Sequence, residues 1–141
     1  MTLALSITDL HKSFNENDVI KGMSLQANKG DVISLIGASG SGKSTFLRCI
    51  NLLETPNKGE VRVNGELMEM KTDSKGNRVA ADQKQVDRIR TKLGMVFQSF
   101  NLWSHMTIVE NIMEAPVHVL GHSKTEAHAK AMQLSRRHTA P

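Results

Sequence analysis

Apolar and polar residues alternate in two stretches near the start of the chain. The apolar members of the alternation are Leu3, Leu5 and Ile7 in the first stretch and Met23, Leu25 and Ala27 in the second. A period of two is typical of half-buried antiparallel strands. We therefore predict two such strands, separated by a loop over residues 15–18.

A different pattern follows the turn at residues 28–30. Residues 31–36 (DVISLI) form a short apolar run bounded by turn residues, which predicts a strand buried on both faces. The next apolar residues recur at helical spacing, and they are Phe46, Leu47, Ile50 and Leu53. We therefore expect a strand, a glycine-rich loop and then a helix over residues 44–53.

The middle of the chain contains a hairpin signal. The dipeptide Asn64-Gly65 lies between the apolar segments 61–63 and 66–68, and Asn-Gly favours a type I′ turn. Residues 71–78 are polar and rich in turn formers, so we expect an exposed insertion there.

An amphipathic segment and a short apolar run come next. Val86, Ile89 and Leu93 have the three and four residue spacing of a surface helix, which we predict from about residue 81 to Gly94. Residues 95–97 (MVF) are a second candidate for a short buried strand.

The remainder of the chain is predicted to be helical. The segments 107–110 (TIVE) and 123–126 (SKTE) both match the capping box, in which a hydroxyl residue and a glutamate satisfy a helix start. Pro116 falls within or near the later turns of the first helix. Residues 134–141 (LSRRHTAP) show no periodicity and are expected to fray.

Composition narrows the class of protein. Hydrophobic residues at 39% and charged residues at 23% describe a soluble globular chain rather than a disordered or fibrous one. The net charge of +4 fits either a polyanionic partner or a charge that only keeps the protein in solution. Cys49 is the one cysteine, so it predicts a buried thiol and a reducing compartment. The start resembles no secretory signal, and no apolar run approaches the roughly 18 residues that cross a bilayer.

Residues 37–44 (GASGSGKS) match the phosphate-binding motif G-x-x-x-x-G-K-[ST] in full. Its glycines allow successive N–H groups to point at an anion, and the following helix contributes its positive end. Lys43 is expected to reach the β- and γ-phosphates, the Ser44 hydroxyl to ligate Mg²⁺, and Thr45 to lie near the α-phosphate. The candidate binding residues of this loop are Gly37, Ser39, Gly40, Ser41, Gly42, Lys43, Ser44 and Thr45.

Phosphate binding does not by itself imply hydrolysis. Hydrolysis needs a carboxylate that holds Mg²⁺ from a neighbouring strand, and the sequence has no short apolar strand ending in Asp or Asp-Glu. A small kinase would use the same loop, with Arg88 and Arg90 as candidate lid arginines. A nucleic-acid binder using these arginines and Lys92 is disfavoured because only 4% of the residues are aromatic.

Three stretches together resemble the ATP-binding subunit of ABC transporters. They are LHKSFNENDVIKGMSLQANKGDVISLIG (10–37), GASGSGKSTFLRCINLLE (37–54) and GMVFQSFNLWSHM (94–106). The resemblance is greatest to importers of polar and basic amino acids, of the histidine/lysine/arginine-ornithine kind, and covers about residues 4–133. It implies an α/β fold: a P-loop NTPase core with an antiparallel β subdomain and the start of a helical subdomain. The implied domains are the nucleotide-binding core with the β subdomain over 1–97, the helical start over 98–135 and a frayed tail over 136–141.

The resemblance assigns roles to residues outside the loop. Phe14 falls where the family places an aromatic ring that stacks on adenine, and Val19 would flank the base. Gln98 matches the glutamine that touches Mg²⁺ and the attacking water and links the two subdomains. The segment 99–106, which contains Trp103, would face the membrane subunits.

Several family motifs are missing from the sequence. Residues 134–137 (LSRR) share only two residues with the LSGGQ signature and stand too early for it. The strand with the magnesium-binding aspartate and catalytic glutamate, the following aspartate loop and the switch histidine have no counterpart. His118 and His122 lack a third ligand, so we expect surface histidines there. We therefore expect a truncated first half that binds but does not hydrolyse ATP alone, or a non-functional fragment of a transporter gene.

The resemblance also implies partners and a location. These are the transmembrane subunits of an importer and, in the full-length family, a second copy of the ATP-binding subunit. Nucleic acid is not expected as a partner. The location is cytoplasmic, on the inner face of the cell membrane, with only indirect contact to the lipid.

Overall fold

The computed structural model describes residues 3–137. Its strands are β1 (Leu5–Phe14), β2 (Asn17–Ala27), β3 (Lys58–Val63), β4 (Glu66–Leu67), β5 (Met70–Thr72) and β6 (Arg78–Ala80). Its helices are α1 (Lys43–Ile50), α2 (Gln83–Arg90), α3 (Ile108–His118) and α4 (Lys124–Arg137). The described residues up to Leu93 form one compact unit, and those from Gly94 onward form a second. This mixture of strands and helices confirms the predicted α/β class.

The first unit is built on an antiparallel sheet with the strand order β2-β1-β3-β4. Within it Ile7 of β1 lies opposite Leu25 of β2 and Val61 of β3. Both strands predicted from the alternation are confirmed, and both are longer than predicted. The predicted loop over 15–18 shrinks to a tight turn, because Phe14 and Asn17 are already paired. Ile7, Leu10 and Ile20 of these strands are buried in the core.

A bulge in β1 requires a glycine on the neighbouring strand. Asp9 lies at the irregularity between the two registers of β1 and has a φ of 49°. Gly59 of β3 approaches it so closely that a Cβ there would lie 2.5 Å from the Asp9 carbonyl oxygen. The Asp9 carboxylate accepts hydrogen bonds from Lys58 and His11, and these contacts lower its pKa.

The helix α1 packs its buried face into the core of this unit. Phe46 is 1% exposed, and Cys49 is fully buried, as the sequence predicted for its thiol. Burial raises the pKa of the Cys49 thiol to about 11, so the thiol stays protonated at neutral pH. The helix is shorter than the predicted range of 44–53, and Leu47 and Leu53 are 47% and 44% exposed. The helix ends at Ile50, so Leu53 lies beyond its last turn.

The predicted type I′ hairpin is confirmed between β3 and β4. Asn64 and Gly65 both have positive φ, at 50° and 80°, which is the conformation that a type I′ turn requires. The polar stretch after it is more ordered than predicted, since β5 and β6 form their own antiparallel hairpin. Asp73 closes its turn by accepting hydrogen bonds from the backbone N–H groups of Lys75 and Asn77.

The helix α2 joins the edge of the sheet to the end of α1. Asp82 caps it by accepting a hydrogen bond from the Lys84 N–H, and Val86 and Ile89 are its buried residues. The Arg90 guanidinium donates to the carbonyl oxygens of Asn51 and Leu52, at 2.9 Å each. The predicted surface helix is thus confirmed, although its last full turn ends before Gly94.

The second unit is a pair of packed helices, α3 and α4. Both predicted capping boxes are confirmed: the Glu110 side chain accepts from the Thr107 backbone N–H at 2.7 Å, and the Glu126 side chain accepts from the Ser123 backbone N–H at 3.3 Å. In return, the Thr107 and Ser123 hydroxyls accept from the backbone N–H groups of the two glutamates. Pro116 lies inside α3, as expected. The small residues at the buried face of α4 are Ala127 and Ala131.

The predicted frayed tail is wrong for its first residues. The helix α4 continues through Arg137. The last residues of the predicted tail, 138–141, lie outside the described residues.

The two predicted buried strands are not formed. Residues 31–36 and 95–97 contain no strand, and Val32 and Val96 are 94% and 97% exposed. A strand requires a neighbour that pairs with its backbone. Neither segment belongs to either of the two sheets that residues 3–137 form, so a correct apolar pattern did not produce the predicted element.

We expect Gly59→Ala to destabilise the first unit strongly. The substitution places a Cβ against backbone atoms of β1, in a residue with a φ of 100°. The matched control is Gly30→Ala, because Gly30 has a φ of 93° and a Cβ added there would meet no atom within 4 Å. Both variants carry backbone strain, so their difference in urea denaturation isolates the clash, which should be about 1–3 kcal/mol. Equal losses in the two variants would contradict the close approach of β1 and β3.

We expect the helices of the second unit to lose stability at acid pH. Hydrogen bonds from Thr107 and Ser123 lower the pKa values of Glu110 and Glu126. Since each folded pKa lies below the unfolded one, the stabilisation is present above the unfolded value of about 4.3. It is lost as the pH falls through the folded pKa. Far-UV circular dichroism should show this loss, and the double variant Glu110→Gln, Glu126→Gln should show less of it. An identical acid profile for the two proteins would contradict the prediction.

Candidate functional site

The phosphate-binding motif leads directly into α1. Gly42 is the residue before the helix, and its φ of 88° belongs to the left-handed region that favours glycine. Its carbonyl oxygen accepts the first helical hydrogen bond, from the Phe46 N–H at 2.8 Å. No side chain caps this helix start. The first N–H groups of α1 therefore point towards whatever occupies the space before the helix.

The loop and the start of α1 form the wall of a cavity of about 420 Å³. Its lining residues are Val19, Ser39, Gly40, Ser41, Gly42, Lys43, Ser44 and Thr45. All the motif residues proposed from the sequence except Gly37 thus meet around one space. Gly37 does not line this cavity but lies against Ser41, since a Cβ on Gly37 would be 2.6 Å from the Ser41 hydroxyl oxygen. The structure therefore brings the predicted loop residues together.

Lys43 folds back across the loop. Its ammonium group donates to the carbonyl oxygens of Gly37 and Ala38, at 2.6 and 2.7 Å, and contacts the Ser41 hydroxyl at 3.2 Å. An ammonium group has three donors, so these contacts use all of them. The neutral carbonyl groups of Gly37 and Ala38 hold the Lys43 charge at the loop. An anionic group is a stronger acceptor for an ammonium and can replace them.

Val19 fixes the loop against the sheet. A Cβ on Gly42 would lie 2.9 Å from the Val19 Cγ1 atom and 3.0 Å from its carbonyl oxygen. Only glycine allows this approach of β2 to the helix start. The resemblance placed Val19 beside the base; the structure adds that Val19 supports the turn at Gly42.

A second cavity of about 430 Å³ shares this wall. It is lined by residues of β2 and by residues that precede or belong to the loop, namely Val19, Ile20, Lys21, Gly22, Met23, Leu35, Ile36, Ser41, Gly42 and Lys43. The sequence did not predict this cavity, because the cavity depends on the tertiary arrangement of β2 beside residues 35 and 36.

Phe14 lies at the end of β1 and lines neither cavity. Its ring is 42% exposed, and the Lys12 ammonium lies 4.7 Å from the ring centroid. Lys12 is held in place by the Thr55 carbonyl oxygen at 2.9 Å. Lys12 was missed by sequence reasoning, although strand alternation places it on the same face as Phe14. One face of the ring therefore carries a cation, and the use of the ring as a base platform stays a prediction.

Gln98 and Trp103 belong to the second unit. Gln98 is exposed, and its assignment to Mg²⁺ and the attacking water stays a prediction. Trp103 is 58% exposed and packs edge-to-face with His105, with ring centroids 6.0 Å apart. Its backbone N–H donates to the Asn111 side chain of α3. These contacts hold the segment before α3 while leaving much of the indole exposed.

The structure shows no metal site at the two histidines considered from the sequence, within the residues that it describes. His118 and His122 are exposed, and His118 lies 3.8 Å from Glu114, one turn earlier in α3. Among residues 3–137, no three side chains of the metal-binding types cluster closely enough to hold an ion. The helices in this part of the chain are also too short or too polar to span a bilayer.

Comparison with known proteins gives close relatives. The histidine/lysine/arginine/ornithine transport ATP-binding protein of Escherichia coli (strain K12) is 58% identical over 129 residues, which are 92% of this chain and 50% of that protein. The arginine/ornithine transport ATP-binding protein of Pseudomonas aeruginosa is 58% identical over 127 residues, or 90% of this chain and 50% of that protein. The chain spans about half the length of the curated relatives it matches.

Solved structures agree with these relatives. A dimeric bacterial ABC transporter cassette superimposes with a TM-score of 0.74 at 27% identity, over 92% of this chain and 54% of that one. A dimeric ATP-binding cassette in a post-hydrolysis state, bound to ADP and Pi, gives 0.73 at 29% identity over the same shares. The P-loop NTPase fold expected from the sequence is thereby confirmed.

A family model supplies the remaining observation. The model described as ABC transporter matches residues 20–140, which include the phosphate-binding loop, α1 and the whole helical unit. The relatives confirm the resemblance to ATP-binding subunits of amino-acid importers. Since both the family model and the relatives cover most of its length, this chain belongs to the ABC transporter family.

Proposed function

We propose that this chain forms the ATP-binding part of an ABC importer for polar and basic amino acids. The observation that carries the proposal is the complete phosphate-binding motif, folded around one cavity at the uncapped start of α1. The substrate class follows from the relatives, whose names specify histidine, lysine, arginine and ornithine transport. Since the chain spans about half of each relative, its activity and partners are part of the proposal.

The phosphate groups would be held by the backbone and by Lys43. The amides at the start of α1 supply donors and the positive end of the helix dipole. Lys43 would exchange the carbonyl oxygens of Gly37 and Ala38 for phosphate oxygens. This exchange is favourable because a charged acceptor forms a stronger hydrogen bond with an ammonium than a neutral carbonyl does. Thr45, on the same cavity wall, would contact the α-phosphate.

The residues present also suit Mg²⁺. This ion prefers oxygen ligands and is usually shared between a protein side chain, water and the phosphates themselves. Ser44 is exposed and lines the cavity, so its hydroxyl can supply the protein oxygen. Gln98 is the second proposed ligand, on the resemblance alone. When bound, Mg²⁺ would neutralise phosphate charge.

The adenine would lie against Val19 and the exposed face of Phe14. Phenylalanine offers a π face without a hydroxyl group, and stacking uses that face. Lys12 covers the opposite side of the ring, so the base would approach from the solvent side.

We propose that the bound ATP is not hydrolysed by this chain alone. Neither cavity beside the loop, in the part of the chain that the structure describes, is lined by an aspartate or a glutamate. A carboxylate that holds Mg²⁺ is needed for efficient phosphoryl transfer. The proposal also includes partners and a location. The partners are transmembrane subunits and a second copy of the cassette, and the location is the inner face of the membrane. Trp103 and its neighbours would face the membrane subunits.

We expect Lys43→Ala to weaken ATP binding by about tenfold or more, because it removes a charge-assisted contact with the phosphates. A fluorescent ATP analogue in the presence of Mg²⁺ measures the dissociation constant. Lys71→Ala is the control, since Lys71 is an exposed lysine on β5 and lines neither cavity beside the loop. Unchanged binding in Lys43→Ala, or equal losses in the two variants, would contradict the assignment of the loop. Phosphate release above background from the unaltered chain would contradict the proposed lack of hydrolysis.

A further inference from the structure

Lys12 places a nearly buried charge beside an exposed aromatic ring. Its side chain is only 12% exposed, and its ammonium lies 4.7 Å from the ring centroid of Phe14, a residue that is 42% exposed. Removing an ammonium group from water is costly unless other groups replace the water. The position of this charge therefore depends on the partners that surround it.

Those partners come from the segment after α1. The Lys12 ammonium donates to the Thr55 carbonyl oxygen at 2.9 Å and lies 3.5 Å from a carboxylate oxygen of Glu54. The Glu54 carboxylate also lies 3.6 Å from the guanidinium of Arg48, in the last turn of α1. One carboxylate thus holds cations from two elements, namely the strand that ends at Phe14 and the helix that follows the phosphate-binding loop.

The segment that holds the lysine is itself fixed to β1. The Asn57 N–H donates to the His11 carbonyl oxygen at 2.8 Å, and the Asn57 side-chain oxygen accepts from the Ser13 N–H at 2.7 Å. Pro56 is buried, and a proline restricts the backbone angles of its own residue and of the residue before it. The carbonyl oxygen before Pro56, which accepts the hydrogen bond of the lysine, is therefore held in place.

We propose that Lys12 is a positioning residue for the exposed face of Phe14, and that it strengthens the stacking of adenine on that face. The inference rests on the proposed binding of ATP and adds a determinant of affinity for the base. Both faces of an aromatic ring carry negative potential, and an ammonium is attracted to either of them. The charge on one face draws electron density from the other, which then repels the π electrons of a stacked base less.

A purely structural role for Lys12 predicts a different behaviour. In that case Lys12 would only link β1 to the segment after α1, and its loss would disturb the binding of phosphates and base alike. The positioning role acts through the ring of Phe14, so it concerns the base alone and disappears when the ring is absent. A ligand without a base and a variant without the ring therefore distinguish the two roles.

The first test compares two ligands on the full chain by isothermal titration calorimetry. Lys12→Met keeps an apolar side chain of similar length and removes the charge. We expect it to weaken the binding of Mg·ATP by about fivefold, which is within the range of a cation–π contact. The binding of magnesium tripolyphosphate, which has no base, should not change.

Two further variants serve as the rescue and the control. Lys12→Arg should restore ATP binding, because a guanidinium also binds an aromatic face and can donate to a carbonyl oxygen. Lys58→Met removes another lysine of the same sheet that is paired with a carboxylate, that of Asp9 at 2.8 Å. It should leave the binding of both ligands unchanged.

A double variant tests whether Lys12 acts through the ring. Phe14→Leu keeps an apolar side chain and removes the π face. In that background Lys12→Met should cause no further loss of ATP affinity, because two residues that act as a unit are not additive. Thermal melting of each variant, measured without ligand, checks that the variants are folded.

The other outcomes overturn either this inference or the proposed function. ATP binding that is unchanged by Lys12→Met, lost equally for both ligands, or not restored by Lys12→Arg would overturn the positioning role. The same loss with and without the Phe14 ring, or an equal loss in Lys58→Met, would also overturn it. Failure of the unaltered chain to bind either ligand would instead overturn the proposed binding of ATP, and this inference with it.

Discussion

The position of the phosphate-binding loop depends on the packing of α1 against the antiparallel sheet. Phe46 and Cys49 are both buried beneath the sheet, and burying a phenylalanine side chain contributes about 1.5–3 kcal/mol. The loop residues before the helix are mostly exposed and contribute little burial of their own. The helix start is therefore fixed by its hydrophobic face, and the loop follows from where that helix begins.

Two glycines make this arrangement possible. Gly42 lets β2 approach the helix start at Val19, and Gly59 lets β3 approach the bulge in β1. In both places a Cβ would meet backbone atoms that belong to a paired strand, so the neighbour cannot move aside cheaply. The sheet and the loop are thus coupled through the contact of Val19 with Gly42. The back-folded Lys43 then completes the loop, using carbonyl oxygens that phosphate oxygens can replace.

Local signals in the sequence predicted local structure well. Asn64-Gly65 gave a type I′ turn and both capping boxes gave helix starts, because each depends only on residues within one turn. The motif at residues 37–44 predicted which residues line the cavity for the same reason. The hairpin of β5 and β6 was missed because its stability comes from cross-strand pairs such as Lys71 with Val79, which a polar composition hides.

Predictions that needed distant partners did less well. Residues 31–36 carry the correct pattern for a buried strand, yet the described residues provide no strand to pair with them. The contact of Val19 with Gly42 and the cation beside Phe14 are likewise products of tertiary packing. Strand alternation could have placed Lys12 on the same face as Phe14, whereas nothing in the sequence indicates the close approach of the strands at Gly59.

The proposed binding surface for the phosphates of ATP is the start of α1 together with the loop before it. The most direct measurement is a titration of the isotopically labelled chain with Mg·ATP, followed by the backbone amide signals in nuclear magnetic resonance spectra. We expect saturable shifts at Gly40, Gly42, Lys43 and Ser44, with the amides of β5 and β6 unaffected. Saturable shifts confined to other parts of the chain, or none at the loop when ATP is in large excess, would contradict it.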